Sequence, residues 1–249
     1  MKVITLEEGL FVYNFSPETK GEFVGYNVLL LQNDNEILIV DTAFRRHFNQ
    51  IVEDLTHKGL TITKVVTTHF HRDHIGGLVR LKHAESYASI FCTKTLDIVF
   101  RGGDYTDYMP KHVVVNKQII NFGKFKVELE INSGHSIDGL LVTINDKYVV
   151  TGDDVIFTDE HEALLPFAAD GDINAHIKSL IKISNKVSNG VMIPSHGHVI
   201  SNHDQIQKDI SDRIKYFIWK KENMNKDHDD FREETGISFL GHMWYKNNI

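Results

Sequence analysis

The feature that most narrows what this chain can become is a β-branched run ending in a cluster of histidines. Residues 62–68 read Ile-Thr-Lys-Val-Val-Thr-Thr, and the next nine are His69-Phe70-His71-Arg72-Asp73-His74-Ile75-Gly76-Gly77. β-Branched residues favour extended backbone, on which side chains alternate between two faces. A strand over 61–68 therefore sends His69 and His71 the same way, toward one ion. The chain then turns, and Asp73 and His74 swing toward a second position. Imidazole and carboxylate together suit zinc, iron or manganese. A surface histidine cluster, or a helix start capped by Asp73, is the competing reading, and it leaves the spacing unexplained.

Three further donors stand where apolar runs give way to small-residue turns. His135 lies in Ser133-Gly134-His135-Ser136, after a strand expected over 124–131. Asp153 lies in Thr151-Gly152-Asp153-Asp154, after a strand expected over 148–151, and His196 lies in Pro194-Ser195-His196-Gly197, after one expected over 191–194. A neighbouring glycine lets the backbone pass close to an ion. Seven candidate ligands exceed what one tetrahedral ion uses, so the set predicts two metal ions per chain. Asp154 and His198 are set aside as neighbours of better candidates. His161, His176 and His203 are expected at the surface or on a pocket wall, Ser136 and Ser195 in structural roles, and Cys92 in the core.

Strands are also expected over 10–15, 26–31, 36–41, 89–92 and 140–144, and helices over 48–58, 75–83, 173–188 and 205–222. Residues 101–110 and 157–172 read as loops. The segment 225–249 begins polar and turns apolar at Phe239, Leu240, Met243 and Trp244, as a packing tail would. With no linker in view, residues 1–249 are read as one domain. Both halves share a β-then-α layout, which points to two sheets packed face to face with helices outside.

The ordered set of motifs resembles the metallo-β-lactamase superfamily, over roughly residues 10–200. That resemblance implies an α/β fold, a four-layer αββα sandwich, with the site along one edge of the two sheets. It implies that His69, His71 and His135 bind a first ion and that Asp73, His74 and His196 bind a second. Asp153 would bridge both, and Asp41, at the end of its strand, would orient a ligand histidine. The implied enzyme is a hydrolase whose two divalent ions, zinc before iron or manganese, share a hydroxide. Asp73 would be both a ligand and the catalytic residue that hands on a proton.

Antibiotic-degrading members often carry cysteine where this chain has Asp153, which places it nearer the glyoxalase II and lactonase branch. The basic set with which glyoxalase II binds glutathione is not found after His196. The tyrosine of homoserine-lactone lactonases is not found in Asp154-Val155-Ile156-Phe157. Redox relatives generally carry a glutamate in the first motif and a flavin domain; here Phe70 and Arg72 stand in the motif and the length leaves no room for that domain. The expected reaction is therefore cleavage of an ester, thioester or lactone of a small molecule. Phosphodiester cleavage, and β-lactam hydrolysis as a side activity, are the alternatives. Selectivity is expected from the loops 101–110 and 157–172, with Tyr105, Tyr108 and Phe167 as candidate wall residues.

Charge and composition narrow the partners. A net charge of −7 gives no broad attraction for a phosphate backbone, so no nucleic-acid partner is expected. One cysteine cannot form an internal disulfide. No early apolar stretch has signal-peptide length and no window approaches the apolar length of a membrane span, so a cytoplasmic protein without a membrane partner is expected.

Overall fold

The computed structural model describes residues 1–17, 24–168 and 172–241. Twelve strands make two sheets among them. The first sheet holds β1 (Lys2–Glu7), β2 (Leu10–Phe15), β3 (Tyr26–Asn33), β4 (Glu36–Val40), β5 (Thr61–Val66), β6 (Glu85–Ser89) and β7 (His112–Val114), in that spatial order. Its first four strands pair antiparallel and β4 to β7 pair parallel. The second sheet runs β12 (Val191–Ile193), β11 (Tyr148–Val150), β10 (Leu140–Ile144), β9 (Phe125–Ile131) and β8 (Lys117–Phe122), antiparallel except between β11 and β12. The helices are α1 (Arg45–His57), α2 (Cys92–Val99), α3 (Ile173–Lys186), α4 (His203–Glu222) and α5 (His228–Thr235). None among the described residues is long and apolar enough to cross a membrane.

The layering follows from side-chain alternation. Along β3 and β4, Leu29, Leu31, Leu38 and Val40 face the second sheet, where they meet Val127, Leu129, Val142 and Ile144. The residues between them, Val28, Leu30, Ile37 and Ile39, face outward onto Phe48, Ile51 and Leu55 of α1 and Leu96 of α2. On the other side, Leu141 and Val149 pack on Leu180 and Ile183 of α3 and Ile206 and Ile210 of α4. Three apolar interlayers thus separate four layers, helix, sheet, sheet and helix, as the sequence led one to expect. Each buried Leu, Ile, Val or Phe contributes about 1.5–3 kcal/mol through removal from water.

Several local expectations change. Residues 75–83 do not form an α-helix: the segment turns and makes one 3-10 turn at Leu78–Arg80. Ile75, Leu78 and Leu81 recur every third residue, a spacing that a 3-10 path satisfies equally well. Residues 89–92 are not a strand; β6 ends at Ser89, and Cys92 opens α2 with Cys92, Thr95 and Leu96 on its buried face. Cys92 is buried as expected. Strands β1, β7 and β8 went unread because they are short or edge strands with exposed positions. The polar stretch near residue 227 forms α5, started by a capping box between Asp227 and Asp230. Phe239 packs with Phe231 in the outer apolar layer, while Met243 and Trp244 lie outside the described residues.

Candidate metal centre

The seven candidate ligands converge on one edge because each follows the end of a strand. His69, His71, Asp73 and His74 follow β5, His135 follows β9, Asp153 follows β11 and His196 follows β12. Backbone hydrogen bonds tie these ends together. Leu140 N donates to Thr68 O at 2.8 Å across the two sheets, and Asp41 N donates to Val66 O at 2.8 Å. The Asn27 amide on β3 donates to Pro194 O at 2.9 Å and Gly197 O at 3.1 Å, holding the His196 turn. Gly197 has a φ of +97°, and a Cβ there would lie 2.7 Å from Phe157 Cβ, so that turn needs glycine twice over.

Two groupings result. In the first, His69 Nε2 lies 3.0 Å from His71 Nδ1, and His135 Nε2 lies 3.2 Å from the same atom. Asp153 Oδ2 stands 3.8 Å from His69 Nε2 and 3.8 Å from His135 Nε2. In the second, Asp153 Oδ1 stands 3.4 Å from His74 Nε2 and 3.4 Å from His196 Nε2. Asp73 Oδ2 lies 3.4 Å from His196 Nε2 and 3.8 Å from His74 Nε2. Within each grouping one donor atom per residue fits inside 4.8 Å, and Asp153 belongs to both.

The outer edges of the rings fix which nitrogen faces inward. His135 Nδ1 is 2.9 Å from Phe167 O, and His196 Nδ1 is 2.8 Å from Gly25 O. A carbonyl only accepts, so both rings donate through Nδ1–H. His74 Nδ1 is 2.9 Å from Asp41 Oδ2 and donates likewise. Thr68 Oγ1 donates to Asp41 Oδ2 at 2.7 Å and so accepts from His69 Nδ1 at 3.1 Å. Four of the five imidazoles therefore carry their Nδ1 proton outward and turn Nε2 toward the centre, the orientation that ligation through Nε2 requires. His74 Nε2 and Asp153 Oδ1 are buried without a hydrogen-bond partner. Inward-facing Nε2 atoms, unpartnered buried atoms and a mixed imidazole–carboxylate set fit two divalent cations.

The electrostatics agree. Burial, reinforced by His74 and His71, holds His69 well below its usual range, and burial with His135 pushes His71 down to about 4. Burial opposes a charge on His74 and His196 too. There the carboxylates prevail: Asp153, Asp73 and Asp41 hold His74 well above its usual value, and Asp153 and Asp73 lift His196 to about 10. Against the same burial, His196 and His74 keep Asp153 well below the carboxylate range and Asp73 below it as well. Buried negative charge here demands cations, and metal ions compete with the imidazole protons for that place.

The residues set aside lie outside both groupings. His198 packs against His161, ring centroids 3.7 Å apart. Asp154 accepts from His135 N at 2.7 Å and from the Asn132 amide at 2.8 Å. His176 corrects the sequence reading, since it is fully buried and not at the surface or on a pocket wall. Asp138, also fully buried, went unread because nothing in the turn around it marks it. Tyr105 and Tyr108 pack on Phe100, and Tyr108 borders a cavity of about 160 Å³ that Phe70, Leu78 and Leu81 also line. Phe167 stands beside the centre, its ring 6.1 Å from that of His135.

Comparison with known proteins places this geometry. The model of the metallo-beta-lactamase superfamily matches residues 21–198. The chain is 24% identical to a metallo-beta-lactamase type 2 of Bacillus sp. (strain 170), over 80% of this chain and 77% of that one. It is 22% identical to a hydroxyacylglutathione hydrolase of Haemophilus ducreyi, over 69% of this chain and 66% of that protein. A solved metallo-beta-lactamase from Pontibacter korlensis matches it with a TM-score of 0.70 at 18% identity, covering 87% of this chain and 98% of the other. At that identity the likeness is one of fold.

Proposed function

The chain belongs to the metallo-beta-lactamase superfamily, and from that premise we propose that this metal-dependent hydrolase cleaves an ester, thioester or lactone of a small molecule with two divalent ions, zinc foremost. His69, His71 and His135 would hold one ion and Asp73, His74 and His196 the other, with Asp153 shared between the two groupings. When bound, the ions polarise a substrate carbonyl and lower the pKa of water, so that a nucleophile exists at neutral pH.

The observation that carries the reading is the placement of Asp153. One oxygen faces the Nε2 atoms of His69 and His135, and the other faces those of His74 and His196. A carboxylate has two oxygens to divide between two ions, whereas a cysteine at this position would offer one sulfur. This favours the ester, thioester and lactone reading over β-lactam cleavage.

The chain's own groups supply the rest. The Asp73 side chain is 14% exposed against 2% for Asp153, which supports Asp73 as the carboxylate that takes a proton and returns it to the leaving group. Ser136 Oγ is committed to Asp138, and Ser195 is buried. Burial pushes the Cys92 thiol up to about 11, which removes it as a nucleophile. The net charge of −7 disfavours a polyanionic substrate.

The test is a substrate screen of metal-loaded protein against p-nitrophenyl esters, thioesters, lactones, bis-p-nitrophenyl phosphate and nitrocefin. Turnover of a carbonyl substrate, abolished by chelator and restored by zinc, is expected. Faster turnover of the phosphodiester or of nitrocefin than of every ester, thioester and lactone would overturn the reading.

A further inference from the structure

Three buried carboxylates surround the two groupings without belonging to either. Asp41 braces His74, and Asp154 braces the His135 backbone. The third, Asp138, joins segments that come from different layers. Its Oδ2 accepts from Phe70 N at 3.0 Å, and its Oδ1 accepts from Thr95 Oγ1 at 2.7 Å and Ser136 Oγ at 2.5 Å. Phe70 is the residue between His69 and His71, Ser136 follows His135, and Thr95 stands on α2. Every imidazole of the first grouping is therefore chain neighbour to a partner of Asp138. No such link runs to Asp73, His74 or His196 through these three hydrogen bonds.

The arrangement answers a geometric problem. His69 and His71 follow β5 in the first sheet, whereas His135 follows β9 in the second. Three nitrogens from two sheets have to meet around His71 Nδ1, at 3.0 and 3.2 Å. Ligand constellations need placement to within about 0.5 Å, which side chains on separate loops do not hold unaided. Asp138 supplies two acceptors on a short arm, and its three donors offset part of the cost of burying its charge.

We propose that Asp138 is a positioning residue for the first metal site, fixing the His69–His71 pair against His135 and anchoring both to α2 through Thr95. The proposal rests on the two-ion reading above. It separates the sites: loosening this clasp weakens the three-histidine site and leaves the Asp73, His74 and His196 site close to its original affinity. Burial outweighs the three donors and pushes the Asp138 carboxyl up to about 6.

The full-length protein, stripped with chelator, is titrated with cobalt(II) against a chromophoric competitor, with the visible cobalt bands reporting the geometry at each site. Wild type is compared with D138A, D138N and T95V. Wild type is expected to take two ions. D138A is expected to lose about 10–100-fold in affinity at the three-histidine site, with altered cobalt bands there, and less than about threefold at the other. D138N is expected to recover to within about fivefold, because the amide oxygen still accepts from Phe70 N while the amide nitrogen donates to a hydroxyl. T95V, nearly isosteric, is expected to fall between D138N and D138A. Wild type taking fewer than two ions would overturn the two-ion reading and this proposal with it. Wild type taking two while D138A and T95V match it within about twofold would overturn the proposal alone. Equal losses at both sites overturn it as well, since a general loosening of the fold touches both. If D138A does not fold, T95V decides, and an unchanged three-histidine site in that variant overturns the proposal.

Discussion

His176 offers a sharp test of how burial governs this protein's response to acid. It sits on α3 with no exposed surface, its ring 4.6 Å from that of Phe217. Nε2 donates to Asp154 O at 3.3 Å, and Nδ1 is buried with no hydrogen-bond partner. A proton on Nδ1 would have nowhere to point. Burial, with His135 adding to it, accordingly pushes the His176 pKa down to about 3 from the usual 6.5. The folded value lies below the unfolded one. Below pH 6.5 the unfolded chain takes up a proton that the folded chain refuses, so stability is lost as pH falls from about 6.5 to about 3 and levels off beneath. Each pH unit inside that window costs about 1.4 kcal/mol, so acidifying from pH 7.5 to 5.0 costs about 2 kcal/mol through this one group. His176→Gln keeps an N–H for Asp154 and does not titrate. Urea unfolding of metal-free wild type and variant at both pH values removes proton competition by bound metal, and the other histidines cancel in the difference. The variant should lose about 2 kcal/mol less than wild type between pH 7.5 and 5.0. Equal losses in the two proteins would refute the argument from burial.

Three further outcomes are expected. Protein purified without chelator should carry close to two equivalents of metal, and His196→Ala should lose metal from the second grouping while keeping its far-ultraviolet dichroism, because the ligand sits on a turn outside the core strands; one equivalent with full activity would sink the two-ion mechanism. Gly77→Ala should lower stability by about 1–3 kcal/mol in urea unfolding, since a Cβ at Gly77 would lie 2.3 Å from the Phe48 ring; an unchanged midpoint would show that Phe48 can move aside. Phe167→Ala should alter the ranking of acyl substrates with metal content unchanged, and an identical ranking would remove Phe167 from the pocket wall.

The donors were legible because each combines a distinctive residue type with a strand end and a nearby glycine. The His69–Gly77 segment compresses four of them into six positions, so the sequence alone brings them together whatever the distant packing does. The unbroken apolar runs within 26–31 and 36–41 likewise announced strands buried on both faces, and the layers follow from them. What stayed hidden depends on tertiary contact. Asp138 has no sequence pattern, because its three donors come from Phe70, Thr95 and Ser136, up to 68 positions away. His176 looked like any helix-face histidine until α4 covered it with Phe217. The 3-10 turn at Leu78–Arg80 follows a close approach of Gly77 to Phe48, a tertiary contact that local propensity does not report.

The ring-orienting acceptors add a constraint on where selectivity can reside. Two of them are backbone carbonyls, Gly25 O for His196 and Phe167 O for His135. A backbone carbonyl survives most side-chain substitutions, but it moves with any change in the path of the chain. Phe167 holds both roles at one residue: its carbonyl fixes the His135 tautomer, while its ring stands beside the His135 ring. The loop around it can therefore exchange side chains to suit a substrate, but it cannot be rerouted without turning a candidate metal ligand. Tyr105 and Tyr108 carry no such coupling among their described contacts, since they pack on Phe100. By this argument the 157–172 loop is the stronger carrier of selectivity, and its variation should lie in its side chains and not in its length or path.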